Sequence, residues 1–244
     1  MAEKPILFNT EMVRAIQAGL KTQTRRIIKG LPLYPPFFEE EEGHGWLEDS
    51  GNGSFYVLEA FSKVQPGDVL WVRETWCRWW MPHGGWHYCY KASDPNGNKR
   101  PTGPEYDDRW ETMPWRPSIH MPKEAARIFL RVKNVWAERL QGITKQEAIE
   151  EGITRLFDYL TDEEFEKRIA PYSDFKKKSD FGWTNYLYKK DANHLYSDYQ
   201  SPIDSFASLW NSTIKKADLP RYGWDANPWV WVIEFERCEH SKEG

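Results

Sequence analysis

The sequence predicts an α+β fold. Segments of helical period, opened by capping residues and in places closed by glycine, mix irregularly with alternating or apolar strand segments. No internal repeat and no clean linker divides the chain, so a single domain spanning 1–244 is expected. At 244 residues the chain is long enough to bury a sizeable core.

Taken in order, residues 6–8 read as a short strand. Thr10 is placed to cap a helix whose apolar positions Met12, Val13, Ile16 and Leu20 recur at three and four residues, and Gly19 to end it. Residues 21–28 lean toward β structure and are strongly basic, and a Pro-rich acidic loop follows. Residues 54–61 read as a strand. Pro66, Gly67 and Asp68 make a turn into a strand over 69–74, and 86–91 is another. Residues 93–117 are loop-like, rich in Pro, Gly and Asp. Residues 127–133 alternate charged and apolar side chains, as a half-buried strand does. Thr144 with Glu147 forms a capping box for a short helix that Gly152 closes, and Thr161 with Glu164 opens another. Residues 171–200 are irregular and rich in Tyr and Lys. Ser201 and Pro202 open an amphipathic helix turning Phe206, Leu209, Trp210 and Ile214 inward, and a strand is expected over 228–235.

Composition narrows the function. With 33 Lys+Arg against 37 Asp+Glu the formal net charge is -4, which argues against a surface that coats duplex DNA. The chain holds 14 Trp, 12 Tyr and 12 Phe at a mean hydropathy of -0.77. Disordered chains are poor in aromatics, so the rings point either to a β-rich core or to stacking surfaces. No apolar run approaches the ~20 residues of a membrane span, and the first residues lack the pattern of a signal peptide. No membrane partner and a cytoplasmic location are therefore expected. Cys77, Cys89 and Cys238 are too few and odd in number for a disulfide framework. Cys77, His83, His87 and Cys89 lack the spacing of a regular zinc site, so neither a metal nor another cofactor is expected.

Three segments occur in a specific order: Gly19, Lys21, Thr24 and Arg25 after the first helix; Gly67 and Asp68 leading into a strand; and Ile143 and Thr144 through Glu150, Glu151 and Gly152. This arrangement resembles the ASCH domain of the PUA-like superfamily. Residues 73–76, 117–122 and 227–231 are similar to the larger phage- and prophage-type members. The resemblance leaves about 30–50 and 155–200 unmatched, as insertions. It implies a small closed or nearly closed β-barrel with helices at its mouth and a cleft for RNA or a modified nucleotide. Some small members hydrolyse the acyl group of N4-acetylcytidine with a Lys, a Thr and a Glu, which fall here on Lys21, Thr24 and Glu151. Others are linked to RNA cleavage. This chain is more than twice the length of the small amidohydrolases.

The residues can be weighed on their chemistry. A Thr hydroxyl attacks only when a base takes its proton, and a Lys serves as that base only if burial lowers its pKa. Strand alternation would separate Lys21 from Thr24, so their cooperation requires Lys21 to lie in the turn before the strand. Glu151, in the last turn of a helix, meets the negative end of the dipole and calls for a compensating cation. Six cations against two acids over residues 1–30 favour an anionic ligand, with Arg25 and Arg26 among the contacts. Glu74 is placed to accept from an exocyclic amine and Trp76 to stack on a base; Ser118 and His120 are further candidate contacts, His120 as an acid/base group or stacking ring, or else as a core or loop histidine. The alternatives are a solvated basic face, a surface Glu151, a Glu74 paired with Arg73 or Arg131, and Trp71 and Trp76 in the core. Trp71, Trp210, Trp229 and Trp231 are expected to close the barrel, and Trp76, Trp79, Trp80, Trp86, Trp110 and Trp115 to rim the cleft. The rival functions are a ribonuclease using Lys21 and Arg25, a non-catalytic base reader, and a phage-encoded adaptor that docks a host protein.

Overall fold

The computed structural model describes residues 1–29, 46–49, 54–57, 62–81, 85–93, 115–155, 158, 161–172, 177–186 and 199–239. The fold is mixed α+β and gathers into two compact units. One comprises 1–19, 64–134 and 235–244, the other 20–63 and 135–234. Among the described residues no helix is long and apolar enough to cross a membrane.

In the first unit β1 (Glu3–Leu7) runs parallel to β5 (Val69–Arg73), with Ile6 opposite Val72. β5 pairs in antiparallel fashion with β8 (Phe129–Arg139), which continues into the second unit. Four of the five β5 residues are buried, as in a strand covered on both faces. Gly67, at φ +88, makes the turn before it. α1 (Thr10–Gln17) buries Met12, Val13 and Ile16 as its spacing predicts. Its cap is Asn9 rather than Thr10: the Asn9 carboxamide accepts from the Met12 N–H, so the helix begins at Thr10 itself. Leu20 lies beyond this helix and is exposed. β6 (Trp76–Met81) and β7 (Gly85–Tyr90) form a hairpin with Trp76 opposite Tyr90 and Cys77 opposite Cys89. No strand was expected at β6, because Trp, Cys, Arg, Trp, Trp and Met give no two-residue alternation.

In the second unit β2 (Gln23–Ile27) pairs antiparallel with β9 (Trp229–Cys238), placing Arg25 opposite Val232. β9 is the hydrogen-bonded neighbour of both β2 and β8. α2 (Lys145–Glu150) carries the predicted capping box and packs against α4 (Pro202–Thr213), which buries Phe206, Leu209 and Trp210. Such side chains contribute about 1.5–3 kcal/mol each on burial. Ile214 is half-buried at the α4 C-cap. α3 (Asp162–Arg168) has its own box from Thr161 and Glu164 and buries Phe165. α5 (Leu219–Tyr222) was not expected. A further hairpin joins β3 (Trp46–Asp49) to β4 (Ser54–Val57) within the stretch expected to be loop and strand.

Trp71 and Trp210 are buried, whereas Trp229 and Trp231 are only half-buried. His83, Trp110 and most of residues 30–50 lie outside the described residues, as do the side chains of Trp79, Trp80 and Trp86.

Candidate functional site

Within the second unit, the sequence brings Lys21 and Glu151 together through the end of α2. Its six residues run from the Thr144 cap to Glu151, the C-cap, and Gly152 follows at φ +88. That left-handed position suits glycine and lets the Gly152 N–H return to the Ile149 carbonyl at 2.8 Å. The Thr22 N–H donates to the Glu150 carbonyl at 2.9 Å, and Lys21 forms a backbone bridge with Glu151. Lys21 therefore lies just before β2.

The Lys21 ammonium donates to Glu151 Oε2 at 2.6 Å, to the Glu151 carbonyl at 2.7 Å and to the Gln23 carbonyl at 2.8 Å. The other carboxylate oxygen, Oε1, accepts from Arg25 Nη1 at 3.2 Å. Arg25 also meets Glu138 Oε1, with Nε at 2.8 Å and Nη2 at 2.7 Å, and its Nη2 lies 3.5 Å from Glu147 Oε1. Its guanidinium carbon lies 5.9 Å from the centroid of the Phe206 ring. Gln23 donates to the Glu150 carboxylate and accepts from Arg25 Nη1 at 3.3 Å. Trp136 Nε1 donates to Glu138 Oε2 at 3.2 Å.

These charges are internal. Lys21 and Glu151 are each 3% exposed and Arg25 is 2% exposed. Burial pushes the Lys21 ammonium from 10.5 down to about 8; Glu151 opposes the fall, while Arg26 and Arg25 add to it. The two cations on Glu151 compensate its place at the negative end of α2. The pair thus couples a carboxylate to an amine that can exchange a proton near neutral pH, a combination suited to general-base chemistry.

The remaining expected residues fall elsewhere. Thr24 is buried, and alternation along β2 turns it to the face opposite Gln23 and Arg25, away from Glu151. Arg25, expected at a nucleotide, is instead enclosed by carboxylates. Arg26 is half-buried and donates to the Arg25 carbonyl at 3.1 Å.

In the first unit both oxygens of the buried Glu74 carboxylate are taken by Arg127, at 2.8 and 2.9 Å. The partner is thus neither Arg73 nor Arg131. Arg73 donates to the Met121 and Ile119 carbonyls. Arg127 stacks over Tyr90 at 4.0 Å, and burial pushes the Tyr90 hydroxyl up to about 12. Trp76, expected as a stacking ring, is 2% exposed and packs in the core with Met121 and Ala125. Ser118 is half-buried and His120 exposed in one short 3-10 turn.

Sequence reasoning missed Glu138, Glu147 and Arg127 as partners. Glu147 was visible only as a helix cap, and a residue on β8 or just before it carries no local sign of what it faces. A cavity of about 340 Å³ is lined by Asp162, Phe165, Glu166, Lys177, Lys178 and Ser179, and by none of the expected site residues. Among the described residues no group of three or more His, Cys, Asp or Glu is placed to hold a metal ion. No family model, curated protein or solved structure matches the chain.

Proposed function

We propose that the protein binds RNA or a single modified nucleotide in an ASCH-type, PUA-like barrel and hydrolyses an N-acyl group from a modified cytidine. The observation that carries this reading is the buried Lys21–Glu151 pair, in which the amine has a pKa of about 8. A base is most effective when its pKa lies near the working pH.

Neutral Lys21 takes a proton from water, and the water oxygen attacks the acyl carbon. The C–N bond then breaks, and the proton held on Lys21 passes to the departing exocyclic amine. Water and amide become acid and amine. Glu151 stabilises the ammonium while it exists. The orientation of Thr24 favours water over the threonine hydroxyl as nucleophile. Acyl chemistry is favoured over ribonuclease chemistry because Glu138, Glu147 and Glu151 surround Arg25 and would repel a dianionic phosphorane.

The test is incubation with N4-acetylcytidine and with short RNAs, beside Lys21→Ala and Glu151→Ala checked for folding by circular dichroism. Turnover by the wild type that falls about 100-fold or more in both folded variants supports the hydrolase. Binding without turnover refutes the hydrolase and leaves a reader. Absence of binding to either ligand refutes the nucleic-acid account altogether.

A further inference from the structure

We propose that Arg25 is a positioning residue that restrains the proton affinity of Lys21 through its hold on Glu151, with Glu138 as the counterweight that tunes it. The proposal rests on the reading of Lys21 as the base, and it assigns Arg25 and Glu138 a role distinct from ligand contact.

The geometry is a relay of charge along one line of side chains. Lys21 holds one oxygen of Glu151 and Arg25 holds the other, so the two cations share a single buried carboxylate. Arg25 in turn leans on Glu138 with two nitrogens, at 2.7 and 2.8 Å, and on Glu147 at 3.5 Å. The Arg25 side chain has no exposure to solvent, so water does not screen its field. An arginine remains charged under all ordinary conditions, which makes it a fixed positive reference beside a lysine that titrates.

Two fields therefore oppose each other at Lys21. Burial does most to weaken the hold on the proton, Glu151 favours the ammonium against it, and Arg26 and then Arg25 add to the fall. Glu138 and Glu147 offset Arg25 from behind. Glu150, the remaining carboxylate at this end of α2, is engaged by Gln23. A lysine in place of Arg25 would keep the charge but lose the fork that spans Glu151 and Glu138 together.

Substitutions at the two ends of the relay should move Lys21 in opposite directions. Removing the Arg25 charge abolishes a repulsion and leaves Glu138 and Glu147 unopposed, so Lys21 holds its proton more tightly. Removing the Glu138 charge frees the field of Arg25 onto Lys21 and weakens its hold. Glu138→Gln keeps the side-chain volume and an acceptor oxygen, although Trp136 and Arg25 must then share it.

The experiment is an NMR titration of the full chain labelled at lysine Cε and Nζ, with the Lys21 signal assigned by its loss in Lys21→Met. Wild type should titrate near 8. Arg25→Gln should raise the midpoint by a few tenths of a pH unit, about a twofold change in proton affinity, and Arg25→Lys should return it part of the way. Glu138→Gln should lower it. A wild-type midpoint near that of a solvated lysine overturns the proposal, as does an Arg25→Gln midpoint that stays put or falls. If Arg25→Gln does not fold, Glu138→Gln decides alone: a lowered midpoint supports the relay and an unchanged or raised one overturns it. The titration reads the proton on Lys21 whether or not any substrate is turned over, so failure of the hydrolase reading is seen separately in the turnover assay. Where turnover is found, the ascending limb of its pH–rate profile should shift with the NMR midpoint in each variant.

Discussion

Replacing Glu151 with glutamine tests the internal charge network most directly. The carboxylate lies 2.6 Å from the Lys21 ammonium and 3.2 Å from Arg25, and all three groups are buried. Two unit charges about 3 Å apart at an effective dielectric of about 20 attract by about 5–6 kcal/mol, much of which is offset by the cost of removing them from water. Breaking such a pair from one side leaves charge uncompensated and costs about 3–5 kcal/mol. Glu151→Gln should cost that much, lowering Tm by about 6–20 °C in a chain of this size. Lys21→Met should cost less, because Arg25 still faces Glu151. The double variant removes both members, so it should be about 2–3 kcal/mol more stable than the sum of the single losses. Urea unfolding of all four proteins, with unchanged m-values, gives the cycle. A coupling below about 0.5 kcal/mol would show that the pair does not interact as its geometry requires.

Three further outcomes follow from named contacts. An unfolded lysine keeps its proton to about 10.5, whereas folded Lys21 releases it near 8, so between those values the unfolded chain binds more protons. The Lys21 contribution therefore raises stability as pH climbs from about 8 toward 10.5, by something on the order of 3 kcal/mol; equal urea-midpoint changes in wild type and Lys21→Met over that range would refute it. Trp76→Ala should cost about 3–5 kcal/mol because the ring is enclosed by Met121 and Ala125, and a loss under 1 kcal/mol in urea would contradict core placement. Glu74→Gln should cost about 1–3 kcal/mol by breaking the two-pronged pair with the partly exposed Arg127, and a neutral result would count against that pair.

Much of the local architecture was legible because local physics dictates it. The capping boxes at Thr144 and Thr161, the turns at Gly67 and Gly152 and the buried stripe of α4 all lie within a few residues of their cause. The burial of Trp76 was not, since a tryptophan after a strand reads equally as rim or core until Met121 and Ala125 are seen around it. The same holds for the partners of Arg25. Glu138 is 113 residues away in sequence, and nothing near it shows that a guanidinium will face it. The meeting of Lys21 and Glu151 joins positions 130 apart, which a motif can suggest but only the fold can place. Thr24 shows the converse: its strand was anticipated, and strand alternation then turns it away from the carboxylate.

The burial of charge also alters what the basic first thirty residues imply about the ligand. Their six cations looked like a surface for phosphate. Yet Lys4 pairs with Asp68, Arg14 donates to the Ala92 and Lys91 carbonyls, and Lys21 and Arg25 face carboxylates. Arg26 is half-buried, and only Lys29 stands exposed. Cations already paired with acids, as Lys4, Lys21 and Arg25 are, release few counterions when a phosphate arrives. The proposed site therefore fits an uncharged acylated nucleoside better than a long polyanion. Each phosphate contact to a single strand adds a slope of about -0.7 in log affinity against log salt, so four contacts would cost about 600-fold between 50 and 500 mM. Affinity for N4-acetylcytidine should change less than about twofold over that range, and a short RNA should show a slope shallower than about -1. Calorimetric titrations at several salt concentrations measure both. A slope of about -3 or steeper would mean that RNA is held through phosphates by cations outside these pairs, and the nucleoside preference would then be wrong.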